Sequence, residues 1–309
     1  MGEDSSGNGK LCKVESMNEL IIPILVTGSI TALVSLSFQL ILRATGGIFD
    51  FALGQYAILS GMGAAFLSAH SGLPFYAVVC CGVLFSTIAA LASETGAIGP
   101  LSRIYRNAGA FGPVLGTVAL LWVWEQTARL LFGDRPLIGD PFWKDTRFVL
   151  VGLRISGHQL TIILSTLVVF AAAYVWLEYS RSGRLLRAVG DNRHASEILG
   201  LNIRKARTLA FLVAGMIAGL AGILAVPLAG LAPLMGVAFL TNGFVALFVG
   251  GAGKTSGAAA GAFVLAAVNI IVSRYFGVAW KDYFVLVLAL LIFAMRPQGI
   301  IAPIRKRPS

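Results

Sequence analysis

Few side chains in this sequence could do chemistry within its long apolar stretches. Asp50 follows a Gly46–Gly47 pair, and Glu125 and Arg129 are four residues apart, which places them on one face of a helix. Ionisable groups in apolar segments can bind an ion or a proton, or line a path for a polar solute. We interpret Glu125 and Arg129 as a structural pair near a membrane interface. Asp50 is the strongest candidate for a residue of a translocation pathway, and Gln55 and Asn242 are weaker ones.

The segment from Gly251 to Thr255 looks like the end of a phosphate-binding loop. That motif also needs a glycine at the position of Phe248, and it needs a strand before the loop. An apolar span precedes it here, so we interpret the segment as a tight turn between two helices. Nucleotide binding by this segment is therefore not expected.

The histidines and cysteines do not have the spacing of a metal site or of a disulfide framework. His70, His158 and His194 are scattered, and Cys80 and Cys81 are adjacent within an apolar run. We expect no metal, no catalytic residue and no cofactor in this chain.

The elements that must position these residues are membrane-spanning helices. Hydrophobic residues make up 57% of the chain and charged residues only 12%, against about 25% charged in soluble domains. The mean hydropathy is +0.83. Residues 208–253 contain no Asp, Glu, Lys or Arg. Because a spanning helix needs about 20 apolar residues, this run is long enough for two spans. This composition excludes a soluble protein.

The apolar runs predict an all-α, polytopic transmembrane helical bundle of about eight to nine spans. The second span is interrupted by Asp50 and by glycines, which predicts a broken helix lining a cavity. The candidate spans are residues 20–42, 49–69, 73–93, 109–131, 159–178, 208–228, 235–251, 257–274 and 281–295.

The net charge of +10 has an ordinary explanation in a membrane protein. Lys and Arg collect in cytoplasmic loops, and most of the 24 basic residues fall inside if the C-terminus is cytoplasmic. This orientation places the basic connection 179–207 inside and the connection 133–158 outside. The excess of positive charge therefore does not predict a nucleic-acid partner.

The first 16 residues are polar and lack the pattern of a signal peptide. We expect a disordered N-terminal extension over residues 1–16 and a transmembrane domain over residues 17–309. Met17, immediately before the first span, is a candidate native start.

The connection 179–207 predicts two short helices. Gly190 would end the first, and Asp191 and Asn192 are residue types that cap the start of a helix. The second would run from about Arg193 to Leu199, with Gly200 as its terminating glycine. A capped, exposed helix between two spans could dock on another protein, although its residues alone favour an ordinary basic loop.

Several separated motifs resemble branched-chain amino acid ABC transporter permeases over nearly the whole chain from Met17. In the connection 179–207 the matching residues are Gly183, Arg187, Ala188, Asn192, Ala195 and Gly200, followed by Ala210, Phe211, Gly215, Ala218, Gly219, Ala221 and Gly222. The glycine-rich second segment matches at Asp50, Phe51, Gly54 and Gly61. Residues 129–137, 245–263 and 296–300 also resemble family stretches.

The resemblance implies an inner-membrane subunit of an ATP-driven importer. Its partners would be a second permease, which we expect to be a different chain, two ATP-binding subunits, a periplasmic solute-binding protein and membrane lipid. ATP and Mg²⁺ would be bound by the ATPase subunits. The implied coupling residues are Gly183, Arg187, Ala188, Asp191, Asn192, Arg193, Ala195 and Gly200. The implied pathway residues are Asp50, Gly54, Gln55 and Asn242.

Branched-chain amino acids are the substrates that the resemblance implies first. Amides, urea and other amino acids are served by relatives and stay open as alternatives. An ion-gradient-driven secondary transporter is the competing function, but the sequence offers it few intramembrane ionisable residues. A membrane-embedded enzyme would need clustered catalytic side chains, which the sequence does not contain.

Overall fold

A computed structural model describes residues 5–104, 111–143, 146–150, 153–251 and 255–295. Within these ranges the chain is an α-helical bundle with one small hairpin. The α-helices are α1 Ser5–Thr45, α2 Leu53–His70, α3 Phe75–Ser93, α4 Gly99–Ile104, α5 Phe111–Phe132, α6 Gly157–Tyr179, α7 Arg181–Asp191, α8 Arg193–Ile198, α9 Ile203–Ala229, α10 Gly236–Gly250, α11 Thr255–Tyr275 and α12 Lys281–Met295. A π-helix, Glu94–Ile98, joins α3 to α4, and short 3₁₀ turns precede α10 and α12.

Six helical segments are long and apolar enough to cross a membrane: Leu20–Thr45, Phe75–Ser102, Gly157–Tyr179, Ile203–Ala229, Pro233–Gly250 and Thr255–Tyr275. They match six of the nine predicted spans. The predicted count of eight to nine is not confirmed. The three other predicted spans coincide with α2, α5 and α12, which do not meet the same length and hydropathy limits.

Composition and length explain why these three helices fall short. Gln55 and His70 lower the hydropathy of α2, and Glu125 and Arg129 lower that of α5. The described part of α12 has only 15 residues, fewer than the roughly 20 that a span needs. Because residues 53–65 of α2 are all buried, this helix lies inside the bundle and tolerates polar groups that lipid would not.

The first helix begins at Ser5, upstream of the predicted boundary at Met17. Residues 5–16 lie within this helix. Their sequence carries no proline that would interrupt the helix. The division of the chain into an extension and a permease domain stays a prediction.

The centre of the bundle is formed by α1, α2 and α9, and the crossing of α2 with α9 depends on small residues. A Cβ on Gly222 would lie 2.7 Å from the carbonyl carbon of Ala57, and a Cβ on Gly61 would meet the backbone of Gly222. Glycine at these positions lets the two backbones approach to near contact, as in other membrane bundles.

The connection 133–158 contains a feature that the all-α prediction missed. Strands β1 Arg147–Leu150 and β2 Leu153–Ser156 pair antiparallel, with Arg147 opposite Ser156. Alternation is short here and the flanking sequence is polar, so the apolar periodicity of the spans gave no signal for it. Ser156 then caps α6 in a reciprocal pair of hydrogen bonds with Gln159.

Candidate functional site

The predicted coupling segment forms the two short helices that the sequence indicated. The first, α7, starts at Arg181, and its N-cap Ser180 accepts a hydrogen bond from the Gly183 backbone N–H at 2.9 Å. A Cβ on Gly183 would overlap the Trp176 carbonyl group. Glycine is therefore required where α7 folds back against the end of α6.

One side chain caps the second helix, α8, and another joins it to α7. Asn192 caps it, accepting a hydrogen bond from the Ala195 N–H at 3.0 Å. The buried Ser196 hydroxyl donates to the Ala188 carbonyl at 3.0 Å, a contact that sequence analysis missed. Gly200 ends the helix with a φ of 73°, as predicted. Asp191, predicted as a capping residue, is instead the last residue of α7.

The base of this segment is held by charged contacts with the neighbouring helices. The Arg187 guanidinium pairs with the Glu178 carboxylate of α6 at 2.6 Å. Arg43, at the end of α1, interacts electrostatically with Asp191, Glu178 and Arg187. A Cβ on Gly190 would stand 3.2 Å from that of Arg43, so α7 packs closely on α1.

The far end of α8 presents an exposed apolar pair. Ile198 ends α8 and Leu199 follows it, and the two residues are 74% and 76% exposed. An open cleft of about 550 Å³ lies between the end of α1 and the turn that joins α7 to α8. Its lining includes Arg43, Asp191 and His194. The element α7–α8 is a helical protrusion with an apolar tip.

Asp50 is buried in the connection between α1 and α2. The sequence predicted a broken second helix at this point, whereas α2 runs without interruption from Leu53 to His70. Helix α1 ends at Thr45, α2 begins at Leu53, and Asp50 is 1% exposed between them. Its carboxylate accepts hydrogen bonds from the Ala52 N–H at 3.0 Å and from the Tyr56 hydroxyl at 2.9 Å. The glycines at 46 and 47 precede it with φ of 71° and 111°, a conformation that other residues rarely adopt.

Gly54 and Gln55 lie at the contact between α2 and the start of α10. A Cβ on Gly54 would overlap the Gly236 carbonyl, and one on Gly236 would overlap the Gln55 amide. The Gln55 Nε2 donates to the Pro233 carbonyl at 3.2 Å. Its Oε1 is buried and accepts no hydrogen bond from the described part of the chain.

Asn242 is not brought to this contact. It lies further along α10 and accepts a hydrogen bond from Asn269 of α11 at 3.4 Å. A polar pair between two spanning helices is a common interhelical contact. Of the four predicted pathway residues, the structure therefore places Asp50, Gly54 and Gln55 at the start of α2 and Asn242 apart from them.

A buried ion pair joins Glu94 to Arg207, and sequence analysis missed it. The Arg207 Nε lies 2.7 Å from the Glu94 carboxylate, and the two side chains are 7% and 1% exposed. Arg207 had been counted among the loop arginines of 179–207. Its signal was available, since Glu94 is the first charge after a long uncharged run.

The predicted turn between Gly251 and Thr255 joins α10 to α11 and is described only at its ends. Gly251 ends α10 with a φ of 97°, Thr255 begins α11, and residues 252–254 lie outside the described ranges, as does the matching stretch 296–300. Across the residues that are described, no three His, Cys, Asp or Glu side chains cluster as metal ligands.

A family model described as "Branched-chain amino acid transport system / permease component" matches residues 20–295. The permease BraD of a high-affinity branched-chain amino acid transport system from Pseudomonas aeruginosa is 26% identical over 293 residues, covering 90% of this chain and 93% of BraD. The ribose import permease RbsC of Haemophilus influenzae is 24% identical over 285 residues, covering 87% of this chain and 84% of RbsC.

The permease LivH of Salmonella typhimurium, from a system described in the same words, is 28% identical over 148 residues. That match covers 48% of each chain, so this chain spans about half the length of LivH. A solved structure, PsaBC from Streptococcus pneumoniae in complex with Fab, is 12% identical with a TM-score of 0.49, covering 95% of this chain and 96% of that one. Together with the six apolar helices, the relatives identify a multi-pass membrane protein.

Proposed function

Because this chain belongs to the family of branched-chain amino acid transport system permease components, we propose that it is the membrane-spanning subunit of an ABC importer. ATP hydrolysis would take place in two partner subunits, and a second permease, which we expect to be a different chain, would complete the pathway. A periplasmic binding protein would deliver the substrate. The site for coupling is α7–α8, on the cytoplasmic side together with the C-terminus.

The observation that carries this proposal is the exposed apolar tip of α8. Burying a leucine or isoleucine side chain stabilises a contact by about 1.5–3 kcal/mol, whereas leaving Ile198 and Leu199 in water forgoes that gain. A hydrophobic partner surface would explain why a basic loop keeps two large apolar side chains exposed. The hydrogen bonds of Asn192 and Ser196 would hold α8 in shape, so that a displacement of its apolar end would be passed on to α9.

The proposed cycle follows from these contacts of α7 and α8. When the ATPase subunits close, they would draw the two α7–α8 elements of the permease pair together. Since α7 packs on the end of α1 and α8 leads directly into α9, the central helices would move together with α7 and α8. The pathway would then alternate between outward- and inward-facing states, with Asp50, Gly54 and Gln55 near its helix break. The Asn242–Asn269 pair would sit outside that break.

Branched-chain amino acids are the proposed substrates. BraD supports them because its match covers nearly the full length of both chains. The ribose import permease from Haemophilus influenzae matches over a similar length, so ribose is the competing substrate. Uptake of labelled leucine, with unlabelled valine, isoleucine and ribose as competitors, separates the two.

The experiment uses vesicles containing this chain, its partner permease, the ATPase subunits and the binding protein. We expect leucine uptake that requires ATP. Replacing Ile198 and Leu199 together by serine should weaken association with the ATPase subunits roughly a hundredfold, since about 3 kcal/mol of apolar burial is lost. Ile138→Ser is the matched control, because Ile138 is 75% exposed but lies in the outer connection.

Two results would contradict the proposal in different ways. Uptake that proceeds without ATP and follows an ion gradient would favour a secondary transporter. ATPase binding that is unchanged in the double serine variant, as in Ile138→Ser, would remove α8 from the docking surface while leaving the importer function intact.

A further inference from the structure

The hairpin of β1 and β2 leads directly into a membrane span. Its last residue, Ser156, caps α6, and the span Gly157–Tyr179 begins at the next position. The Gly157 N–H donates to the Thr146 carbonyl at 2.9 Å, so the residue before β1 is held beside the first residue of the span. The hairpin therefore lies where the chain enters the bilayer.

One face of the hairpin packs on the protein and the other is exposed. Ile155 of β2 is 8% exposed and belongs to the core of the bundle. Neighbours in a strand alternate between faces, so Arg154 lies on the opposite face, with Val149 across from it and Arg147 two positions before Val149. Both arginines are exposed, and Val149 is 70% exposed. This face thus presents two cations around an apolar side chain.

The charge of this face is not neutralised by the hairpin itself. Residues 146–157 contain two arginines and no acidic residue. Among the described residues, neither guanidinium takes part in an ion pair or a side-chain hydrogen bond. Arg129 near the end of α5, in contrast, pairs with Glu125 at 2.8 Å. The two guanidinium groups of the hairpin are therefore free to bind an anion that is not part of this chain.

An exposed tryptophan stands beside the first residue of the span. Trp143 is 68% exposed, and a Cβ on Gly157 would lie 2.7 Å from the Trp143 Cβ. The Trp143 carbonyl accepts a hydrogen bond from the Thr146 hydroxyl at 3.1 Å, which ties it to the start of β1. Tryptophan is enriched at membrane–water interfaces, where its apolar ring and its polar N–H each find a partner. Trp143 has the position of such an interfacial anchor.

The thickness of a lipid headgroup layer fits this arrangement. A bilayer of about 40–45 Å contains about 30 Å of hydrocarbon, which leaves about 5–7 Å for the headgroups on each side. Arg147 lies directly opposite Ser156, and Arg154 is two residues from Ser156, at most about 7 Å along a strand. Whichever way the hairpin leans, both arginines therefore stay at the depth of the lipid phosphates. A soluble partner approaches from beyond this layer.

We propose that the exposed face of the hairpin, formed by Arg147, Val149 and Arg154, binds the headgroups of anionic phospholipids, with Trp143 anchoring its base in the interface. The two guanidinium groups pair with phosphate oxygens, while Val149 and the indole ring contact the upper part of the acyl chains. This contact sets the depth at which α6 starts. The inference requires only that the chain spans a bilayer, so it does not depend on the proposed importer function.

The test is the affinity of the purified full-length chain for phosphatidylglycerol in neutral detergent micelles. A ligand that binds only the folded chain raises its melting temperature, and phosphatidylcholine with the same acyl chains is the reference. Each basic residue at an anionic membrane surface strengthens binding about fivefold, so Arg147→Gln/Arg154→Gln should need about 25-fold more phosphatidylglycerol for the same rise. Arg147→Lys/Arg154→Lys, the matched control, keeps both charges and should stay close to wild type.

A second measurement locates Trp143. In bilayers that contain a lipid with a nitroxide on its headgroup, tryptophan fluorescence should be quenched more strongly in wild type than in Trp143→Phe. Equal quenching in the two proteins would show that Trp143 does not lie in the interface.

Two other results would overturn the lipid contact. Equal phosphatidylglycerol requirements in wild type and in Arg147→Gln/Arg154→Gln would remove the arginines from it, and if that variant no longer bound the solute-binding protein, the face would belong to a soluble partner. A rise of the melting temperature with inorganic phosphate alone, lost in the same variant, would make the face a site for a free anion. None of these results bears on whether the chain is an importer subunit.

Discussion

Replacing Gly222 by alanine adds one methyl group where α9 crosses α2. The new Cβ would lie 2.7 Å from the carbonyl carbon of Ala57 and 3.1 Å from its Cα. Both neighbours are backbone atoms within a buried helix, so no side chain can rotate away. The Ala57 carbonyl oxygen is nearer still, and the Cβ would overlap it. The helices must therefore separate by more than about 1 Å to restore ordinary van der Waals contact at roughly 3.5 Å.

The expected loss of stability combines two opposing terms. Overpacking of this kind costs about 1–3 kcal/mol, because a gap of about 1 Å forfeits up to half of the dispersion attraction along the interface. Alanine recovers up to about 1 kcal/mol through its higher helix propensity. We therefore expect Gly222→Ala to lower the free energy of unfolding by about 1–2 kcal/mol.

The measurement is the folded fraction of the purified chain during titration with sodium dodecyl sulfate in mixed micelles. Gly96→Ala is the control, because a Cβ at Gly96 has no heavy atom within 4 Å and its φ is not positive. It should be neutral or slightly stabilising. Equal stability of Gly222→Ala and Gly96→Ala would show that α2 and α9 do not meet through these glycines, and the account of the central crossing would be wrong.

Two further changes test contacts at the opposite ends of the bundle. Arg129→Ala leaves the buried Glu125 carboxylate without its partner at 2.8 Å, so we expect a loss of about 3 kcal/mol in the same titration; Asp134→Ala removes a partner that is 72% exposed and should cost less than about 1 kcal/mol. Equal losses in both variants would contradict the burial of Glu125. Ser196→Ala removes the hydrogen bond to Ala188 and about 1 kcal/mol with it, so backbone amides of α8 should exchange with deuterium about fivefold faster, and unchanged exchange would show that this bond does not hold α8.

The apolar runs predicted the six spanning segments well, because a lipid-facing helix must be apolar along its whole length. The end of α6 and the two helices after it were also predictable, since their caps are local. Ser180, Asn192 and Gly200 act on residues three or four positions away. The family resemblance added the coupling function, which the residues of this loop did not specify by themselves.

Contacts between distant parts of the chain could not be predicted in this way. Ser93 and Trp124 each look like ordinary residues of an apolar helix, and the hydrogen bond between them depends on how α3 packs against α5. The Glu94–Arg207 pair joins positions more than a hundred residues apart. Asn242 was placed in the pathway by residue type alone, whereas its neighbour Asn269 explains it as an interhelical contact.

The span that contains α10 has a consequence for how its first carbonyl is satisfied in a bilayer. With the 3₁₀ turn before it, α10 belongs to the 18-residue segment Pro233–Gly250, which rises about 27 Å, close to the roughly 30 Å of hydrocarbon. Pro233 therefore lies near one edge of the hydrocarbon, where a free carbonyl is tolerated only if protein or water covers it. Pro233 is buried, and Gln55 Nε2 of α2 donates a hydrogen bond to its carbonyl. The protein itself thus satisfies the carbonyl at which this span begins.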